Sequence, residues 1–525
     1  MVDILREPDI VKIYCDDENI DTEVGFKLNG RKLEMIVKAN ISHPKMIALR
    51  WNYKTDEAVT VMGDKWQNGF GDMTWHSLNG ETFMPWYFLV NNGKSTVGCG
   101  VLTGPSSFVS FQYDASGVSA WVDVRCGGIG VDLSGRELHA CTFVCETYEG
   151  INAYHAAREF CKVMCEKPIL PREPVYGSNN WYYAYGVSSY EEIMEDAHLI
   201  SEIAGENKNR PFMVIDDGWQ LNDKTCEGPW IPNEKFKDMK KIAEGFKEMG
   251  IRPGVWLRLL HQSHIEKEHP EWCFIREDEM SLDPSHPEVK KVIAEDIKRI
   301  KDWGFELIKH DYSSYDIFGD YGFDLNGCIT NRKGWSFYDK KKTGAEIVLD
   351  FYKLIREAAG DMYIIGCCTV SHLSAGLVEL YRIGNDTSGK CWSVTRTNGV
   401  NALAFRICQN DIFYKVDADC VGLMGDNIPW KLNRQWLDLL AKSGSPLFVS
   451  MQPSAITDEI KKDLKEAFKI NSVQKEVLEP LDWMHNNQPH KWLIDGKETE
   501  YDFIMDSFPK LIGYKIGTIT PEEIF

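Results

Sequence analysis

The 525-residue sequence predicts a multidomain protein: a central (β/α)8 barrel of the TIM type, an N-terminal β-sandwich and a short C-terminal antiparallel β region. Three observations carry that prediction. Residues 1–150 alternate short apolar runs with turn residues. After residue 174 the texture changes to strands alternating with amphipathic stretches of helix length. Beyond residue 475 the helical spacing stops and short strand-like runs return.

In residues 1–150 the runs KLEMIVKANI, MIALRWNY, SFVSFQYD and SAWVDVRC are punctuated by NG, NNG and ASG, which favour tight turns between paired strands. Residues 151–173 form the connection: INAYHAAREFCKVMCEK has helical spacing, and Pro168, Pro171 and Pro174 close it. Residues 174–475 hold eight candidate strands, VYGSNNWYY, FMVIDDGW, RPGVWLRLL, FELIKHDY, MYIIGCC, VELYRIGND, FYKVDADCVGL and PLFVS. Eight is the number that closes a βα barrel. Intervening stretches such as SSYEEIMEDAHLISEIAG, KTGAEIVLDFYKLIREAAG and TNGVNALAFRICQN carry apolar residues at helical spacing, and several end in Gly. TVSHLSAGL, between the fifth and sixth strands, is too short for a full helix and predicts an irregular crossover. Residues 476–525, with DWMHNNQPHKWLIDGKETEYDFIMDSF, predict the closing β region.

Formal net charge is −20, from 79 acidic and 59 basic residues, which repels phosphate backbones and anionic membranes and argues against either as a partner. The start, MVDILREPDIVKIYCDDENI, has no basic segment followed by an apolar core, and no apolar run approaches bilayer-spanning length, so a cytoplasmic location is expected. Fifteen Cys without CxxC pairs or zinc-finger spacings predict reduced, buried thiols, with neither metal nor organic cofactor. Seventeen Trp and 21 Tyr suit sugar faces, although core packing is their commoner use.

A βα barrel places its reacting groups at the carboxyl ends of its strands. That rule brings together Trp181 from the first strand, Asp216 and Asp217 from the second, Trp256 and Arg258 from the third, and Lys309 and Asp311 from the fourth. Cys367 and Cys368 follow from the fifth, Arg382 and Asp386 from the sixth, and Asp417 and Asp419 from the seventh. An acidic ring with aromatics between suits glycoside chemistry, in which one carboxylate attacks the anomeric carbon and a second protonates the departing oxygen. Asp311 is the candidate nucleophile and Asp386 the candidate acid/base. Lys309, two residues before Asp311, projects to the same side and can hold that carboxylate ionised. Asp386 requires a partly desolvated pocket that keeps its proton. Asp216 and Asp217 repel each other, a cost that a bridging polyol would explain. Each residue also has an ordinary reading: helix caps, ion pairs or an Asx turn for the acids, rim packing for the tryptophans, buried thiols for the cysteines. His261, His264 and His269 are the one stretch that would serve a metal-dependent hydrolase, and a solvated loop or helix face accounts for them equally well.

NNWYYAYG, VIDDGWQ, GVWLRLL, LIKHDYSS and YRIGNDTSG, in this order, resemble the clan of retaining α-galactosidases in glycoside hydrolase families 27 and 36; family 36 is the nearer in domain plan. The resemblance implies Asp311 as nucleophile and Asp386 as acid/base. It also implies Asp216 and Asp217 on the hydroxyls at carbons 4 and 6, Lys309 beside the nucleophile, Trp256 as a hydrophobic platform, Arg382 near the 2-position and Cys368, or Cys367, in the cup. The chain departs from the pattern at Leu257-Arg258-Leu259, where Glu-Pro-Glu is common, at His310, where an aromatic is usual, and at Glu279 and Met280, where an arginine is missing. IDDGWQ and CTVSH also resemble the raffinose-synthase branch. The expectation is a retaining exo-α-glycosidase, α-galactosidase-like, acting on small oligosaccharides. An α-N-acetylgalactosaminidase, a galactosyl-transferring enzyme and a non-catalytic sugar-binding barrel stand as alternatives, and homo-oligomerisation stays open.

Overall fold

The computed structural model describes residues 2–503 except 56, 57, 326, 426 and 427, with the backbone of Leu511–Ile512 and Thr518–Ile519. The barrel strands are Tyr176–Asn179, Phe212–Ile215, Arg252–Leu257, Leu307–His310, Tyr363–Gly366, Leu380–Arg382, a divided seventh strand and Leu447–Met451. Each pairs in parallel with the next, and the eighth pairs with the first. FMVI and YIIG are buried at every position, as strands covered on both faces must be.

The seventh strand departs from the continuous run expected of FYKVDADCVGL. Lys415–Asp417 pairs with the sixth strand and Cys420–Leu423 with the eighth, so the ring closes through the chain itself at Ala418 and Asp419. Asp419 takes a left-handed conformation there (φ 72°), and its N–H donates to Asp417 Oδ1 at 3.0 Å. Changing partners from one edge to the other requires a local change of direction, which this kink supplies.

The outer helices begin and end on the expected signals. Ser189 caps Tyr190–Ala204, which stops at Gly205. Thr343 and Glu346 form a capping box for Gly344–Ala359. Between the fifth and sixth strands only the single turn Ser371–Ser374 is found, the short crossover that TVSHLSAGL predicts. TNGVNALAFRICQN was expected as one ordinary helix, but Trp392–Gln409 passes through α, π and 3-10 turns, the π segment being Thr395–Asn401. The wide turn lets Asn401 reach out of the barrel on both sides, donating to Met73 O at 2.8 Å and Asn487 O at 2.7 Å.

Two antiparallel sheets, of five and seven strands, make up the N-terminal part. Lys32–Lys38 shows the half-buried alternation of a sandwich strand, with Leu33, Met35 and Val37 inward. Asn152 caps the connecting helix Ala153–Met164, which packs on Ser95–Val101. A Cβ at Gly98 would lie 2.3 Å from the Phe160 ring, so the approach depends on that glycine. Glu479–Pro480, Lys491–Ile494 and Lys497–Glu500 form an antiparallel C-terminal sheet; the rest of the β region expected to 525 lies outside the described residues, the two short strands at 511 and 518 aside. Among the described residues no helix is long and apolar enough to cross a membrane.

A sandwich loop, residues 64–73, lies on the carboxyl end of the barrel. Gly69 extends the sixth strand (Gly69 N to Ile383 O 2.8 Å, Asn385 N to Gly69 O 3.0 Å), Ser371 N donates to Trp66 O at 2.8 Å, and Ser314 Oγ donates to Gln67 Oε1 at 2.8 Å. Beneath it Arg406, wholly buried, donates to Asp64 Oδ1 at 2.8 Å, and Gln409 donates to Asp64 Oδ2 at 3.1 Å. His372 completes the junction, bonding Val101 O through Nε2 at 2.7 Å and stacking on Trp86 at 5.0 Å.

Two stability predictions follow from these buried polar groups. Arg406→Met leaves the Asp64 carboxylate without its cation and should cost about 3–5 kcal/mol in urea unfolding, most of it recovered when Asp64→Leu is added. Burial pushes His310 and His372 down to about 4, against the Asp311 charge for the first and the Val101 carbonyl for the second. The unfolded chain binds those protons first, so the stabilisation is full above pH 6.5, the ordinary histidine value, and is lost as pH falls through 4. His310 has no partner on either ring nitrogen and packs on Phe351 and Tyr352. His310→Phe should therefore preserve the fold and lower the slope of unfolding free energy against pH in that window by up to about 1.4 kcal/mol per pH unit.

Candidate active site

Asp311 follows directly on the fourth strand, its N–H bonded to Leu257 O at 3.0 Å, which fixes it between the third and fourth strands. Its Oδ2 accepts from Trp256 Nε1 at 3.0 Å and its Oδ1 from Tyr312 N at 2.7 Å. Tyr312 adopts a left-handed backbone (φ 65°), and that strained turn is what aims its N–H at the carboxylate. Burial alone would raise Asp311. The charge of Lys309, the indole N–H, the Tyr312 amide and the Cys368 thiol together outweigh it and hold the carboxyl below its ordinary value.

The Lys309 ammonium is bonded elsewhere: it donates to Asp216 Oδ2 at 2.7 Å, so it acts on Asp311 as a nearby charge rather than as a bonded partner. Asn179 Nδ2 donates to the same oxygen at 2.7 Å, and Asp217 N to Asp216 Oδ1 at 2.9 Å. Desolvation opposes the Lys309 charge, but Asp216 holds the lysine well above its usual range. The repulsion expected between the two aspartates is thus eased by a protein cation. Asp217 takes the Cys226 thiol at 2.6 Å and the Gln220 amide, and burial pushes it upward.

Across the mouth, Arg382 holds two carboxylates, Asp419 Oδ2 at 2.8 Å and Asp386 Oδ1 at 2.9 Å. Tyr182 OH donates to Asp419, which also takes Thr387 N at 2.6 Å. Asn398, from the π segment, donates to the Asp386 carbonyl at 2.9 Å. Crowding by protein and the like charge of Asp419 push Asp386 up against the pull of Arg382 and Lys309. Its side chain is nevertheless 57% exposed, so water in the cup moderates that shift. Arg382, the residue expected near a sugar 2-position, is 3% exposed and engaged by these acids.

Between the two aspartates lies Cys368, left-handed at φ 48°, whose carbonyl takes Ser314 Oγ at 2.6 Å. A bond from Cys367 lowers its thiol, but burial and the charges of both Asp311 and Asp386 raise it further. That shared influence marks the convergence of the fourth and sixth strands. The oxygen of Asp311 and the sulfurs of Cys367 and Cys368 lie within 4.8 Å of one another, the one group of metal-ligand type found among the described residues. Burial and the neighbouring charges raise both thiols.

Trp256 is 2% exposed and packs on Trp230 and Tyr312 at 5.7 and 6.4 Å, so its ring offers no open platform; it positions Asp311 through its N–H. Trp181 is half-buried beside Tyr185 at 5.1 Å. His261 bonds Glu266 at 2.9 Å and faces Glu227, while His269 stacks on Trp272 at 3.9 Å. Sequence reasoning passed over Asp316, which takes Arg258 through bonds of 2.6, 3.0 and 3.1 Å while Arg258 covers Tyr312 at 4.4 Å. The signal was present in IKHDYSSYD, whose last Asp stands five residues beyond the first.

No family model matches the chain, and no curated protein matches it. Solved structures do. The α-galactosidase of Thermus thermophilus, solved with p-nitrophenyl α-D-galactopyranoside, is similar at TM-score 0.60 and 15% identity over 94% of this chain and 97% of that one. The family 36 α-galactosidase AgaA of Geobacillus stearothermophilus gives 0.61 and 12% over 98% and 83%. The galactosidase domain of an α-galactosidase–sucrose kinase gives 0.54 and 13% over 88% and 71%. Over nearly its whole length, then, this chain has the multidomain fold seen in family 36 α-galactosidases.

Proposed function

We propose that the protein is a retaining exo-α-glycosidase that releases terminal α-galactosyl units from small oligosaccharides by double displacement. The observation that carries this reading is the placement of two carboxyls after the strands on either side of the fifth: Asp311 is buried, bonded by the Trp256 and Tyr312 N–H groups and held low, while Asp386 is open to the cup and pushed up beside Asp419. An enzyme of this type needs that difference, because one group must enter the reaction ionised and the other protonated. A galactosyl ring filling the cup would displace the water that reaches Asp386 and strengthen its hold on the proton. Attack by Asp311 on the anomeric carbon then breaks the bond to the leaving oxygen, which takes the Asp386 proton. In the second half Asp386, now ionised, removes a proton from water as the water displaces Asp311. Asp216 and Asp217 offer acceptors for ring hydroxyls, and Lys309 lies between them and the nucleophile. The structural neighbours solved with galactosides support the choice of sugar.

Asp311→Asn should reduce kcat/KM by at least about a thousandfold and abolish trapping by a fluorosugar. Asp386→Ala should keep activity on aryl glycosides with good leaving groups, and azide should restore its rate by forming an α-glycosyl azide. Proton NMR should show the α-anomer first, and a panel of aryl α-glycosides varied at carbons 2, 4 and 6 should rank galactose highest. A β-anomer formed first, or turnover retained by Asp311→Asn, contradicts the mechanism.

A further inference from the structure

Two side chains that the reaction above does not use meet on the loops that follow the first strand and Asp386. Tyr185 ends the short helix Trp181–Ala184 in left-handed backbone (φ 44°) and leaves 42% of its area exposed. Its ring is 6.5 Å from that of Tyr182, whose hydroxyl meets the same Arg382 nitrogen that holds Asp386, at 3.3 and 2.9 Å. Tyr185 is thus linked to Asp386 through two side chains, Tyr182 and Arg382. The loop that follows Asp386 brings the Lys390 ammonium 4.0 Å from the Tyr185 ring centre.

Both placements are built into the backbone. A Cβ at Gly389 (φ 78°) would lie 2.2 Å from Gly422 O, so the turn presenting Lys390 folds flat against the seventh strand only with glycine. A Cβ at Gly218 (φ 110°) would lie 2.4 Å from Gly186 O, so the turn after Tyr185 is seated in the same way on the loop carrying Asp217. A non-glycine residue held left-handed at the rim of a site is a strained arrangement that packing must maintain.

We propose that Tyr185 and Lys390 form the leaving-group subsite and receive a six-membered ring, sugar or aryl, on the Tyr185 face. This rests on the glycosidase reading. Asp386 gives its proton to the oxygen that joins the two groups, so the departing ring must lie on the side of Asp386 away from Asp311. On this reading Tyr185 takes that side: its ring is half-open, and its contact with Lys390 is a cation–π pair at an exposed site, weak enough to yield to an incoming ring. The displaced ammonium keeps three donors, which suit the hydroxyls of a sugar and find no partner on a plain aryl group.

The test compares three substrates sharing one glycosyl unit: an α-linked disaccharide, an aryl α-glycoside and the α-glycosyl fluoride, whose leaving group is a single atom. Tyr185→Ala should raise KM for the first two and lower their kcat/KM relative to the fluoride about tenfold. Tyr185→Phe should restore both, and Lys390→Ala should shift the disaccharide against the fluoride without shifting the aryl glycoside against it. Unchanged ratios in Tyr185→Ala, or a loss shared equally by the fluoride, overturn the subsite. Failure of the wild-type enzyme to release fluoride overturns the glycosidase reading, and the subsite with it.

Discussion

One buried ammonium, that of Lys309, makes the acidic mouth of this barrel tenable. It is bonded to Asp216 and acts through space on Asp311 and Asp386, so one cation offsets parts of three negative charges in a region of low polarisability. A carboxylate buried without compensation takes up a proton instead of staying ionised. Asp311 is held below its ordinary value at 8% exposure because the compensating charge comes from its own strand, two residues away. Arg382 has the corresponding part on the opposite side, shared between Asp386 and Asp419.

The barrel does not assemble this mouth alone. Loop 64–73 crosses from the Asp311 side, at Ser314, to the Asp386 side, at Ile383 and Asn385. The wide π turn beneath it carries Asn398 to the Asp386 backbone and Asn401 to both flanking regions. A regular α-helix over the same residues would rotate these side chains off the faces they now serve.

Much of this was legible because it is written in short-range pattern. Short strand-like runs alternating with stretches of helix length marked the barrel strands, and polar residues placed at their ends marked the mouth. What was not legible depends on which chain segments meet. The kink at Ala418 and Asp419 arises from pairing with two different neighbours, and FYKVDADCVGL does not record that. The partner of Lys309 is Asp216 rather than Asp311, a choice made across two strands. Trp256 was expected to lie under a sugar, yet the packing of Trp230 and Tyr312 turns its N–H to the carboxylate and hides its face. Tyr185 and Lys390 are 205 positions apart and meet only in space.

The bonds around the two aspartates differ in origin. Asp311 is fixed by its own strand, the strand beside it and the turn that follows, all within the cylinder of strands. The main chain of Asp386 hangs on Asn398, and the π segment that presents Asn398 is anchored through Asn401 to the chain on either side of the cylinder. Asp311 is therefore held by the central module alone, while the support of Asp386 reaches through all three. Loosening either outer module should therefore disturb the setting of Asp386 before it reaches that of Asp311.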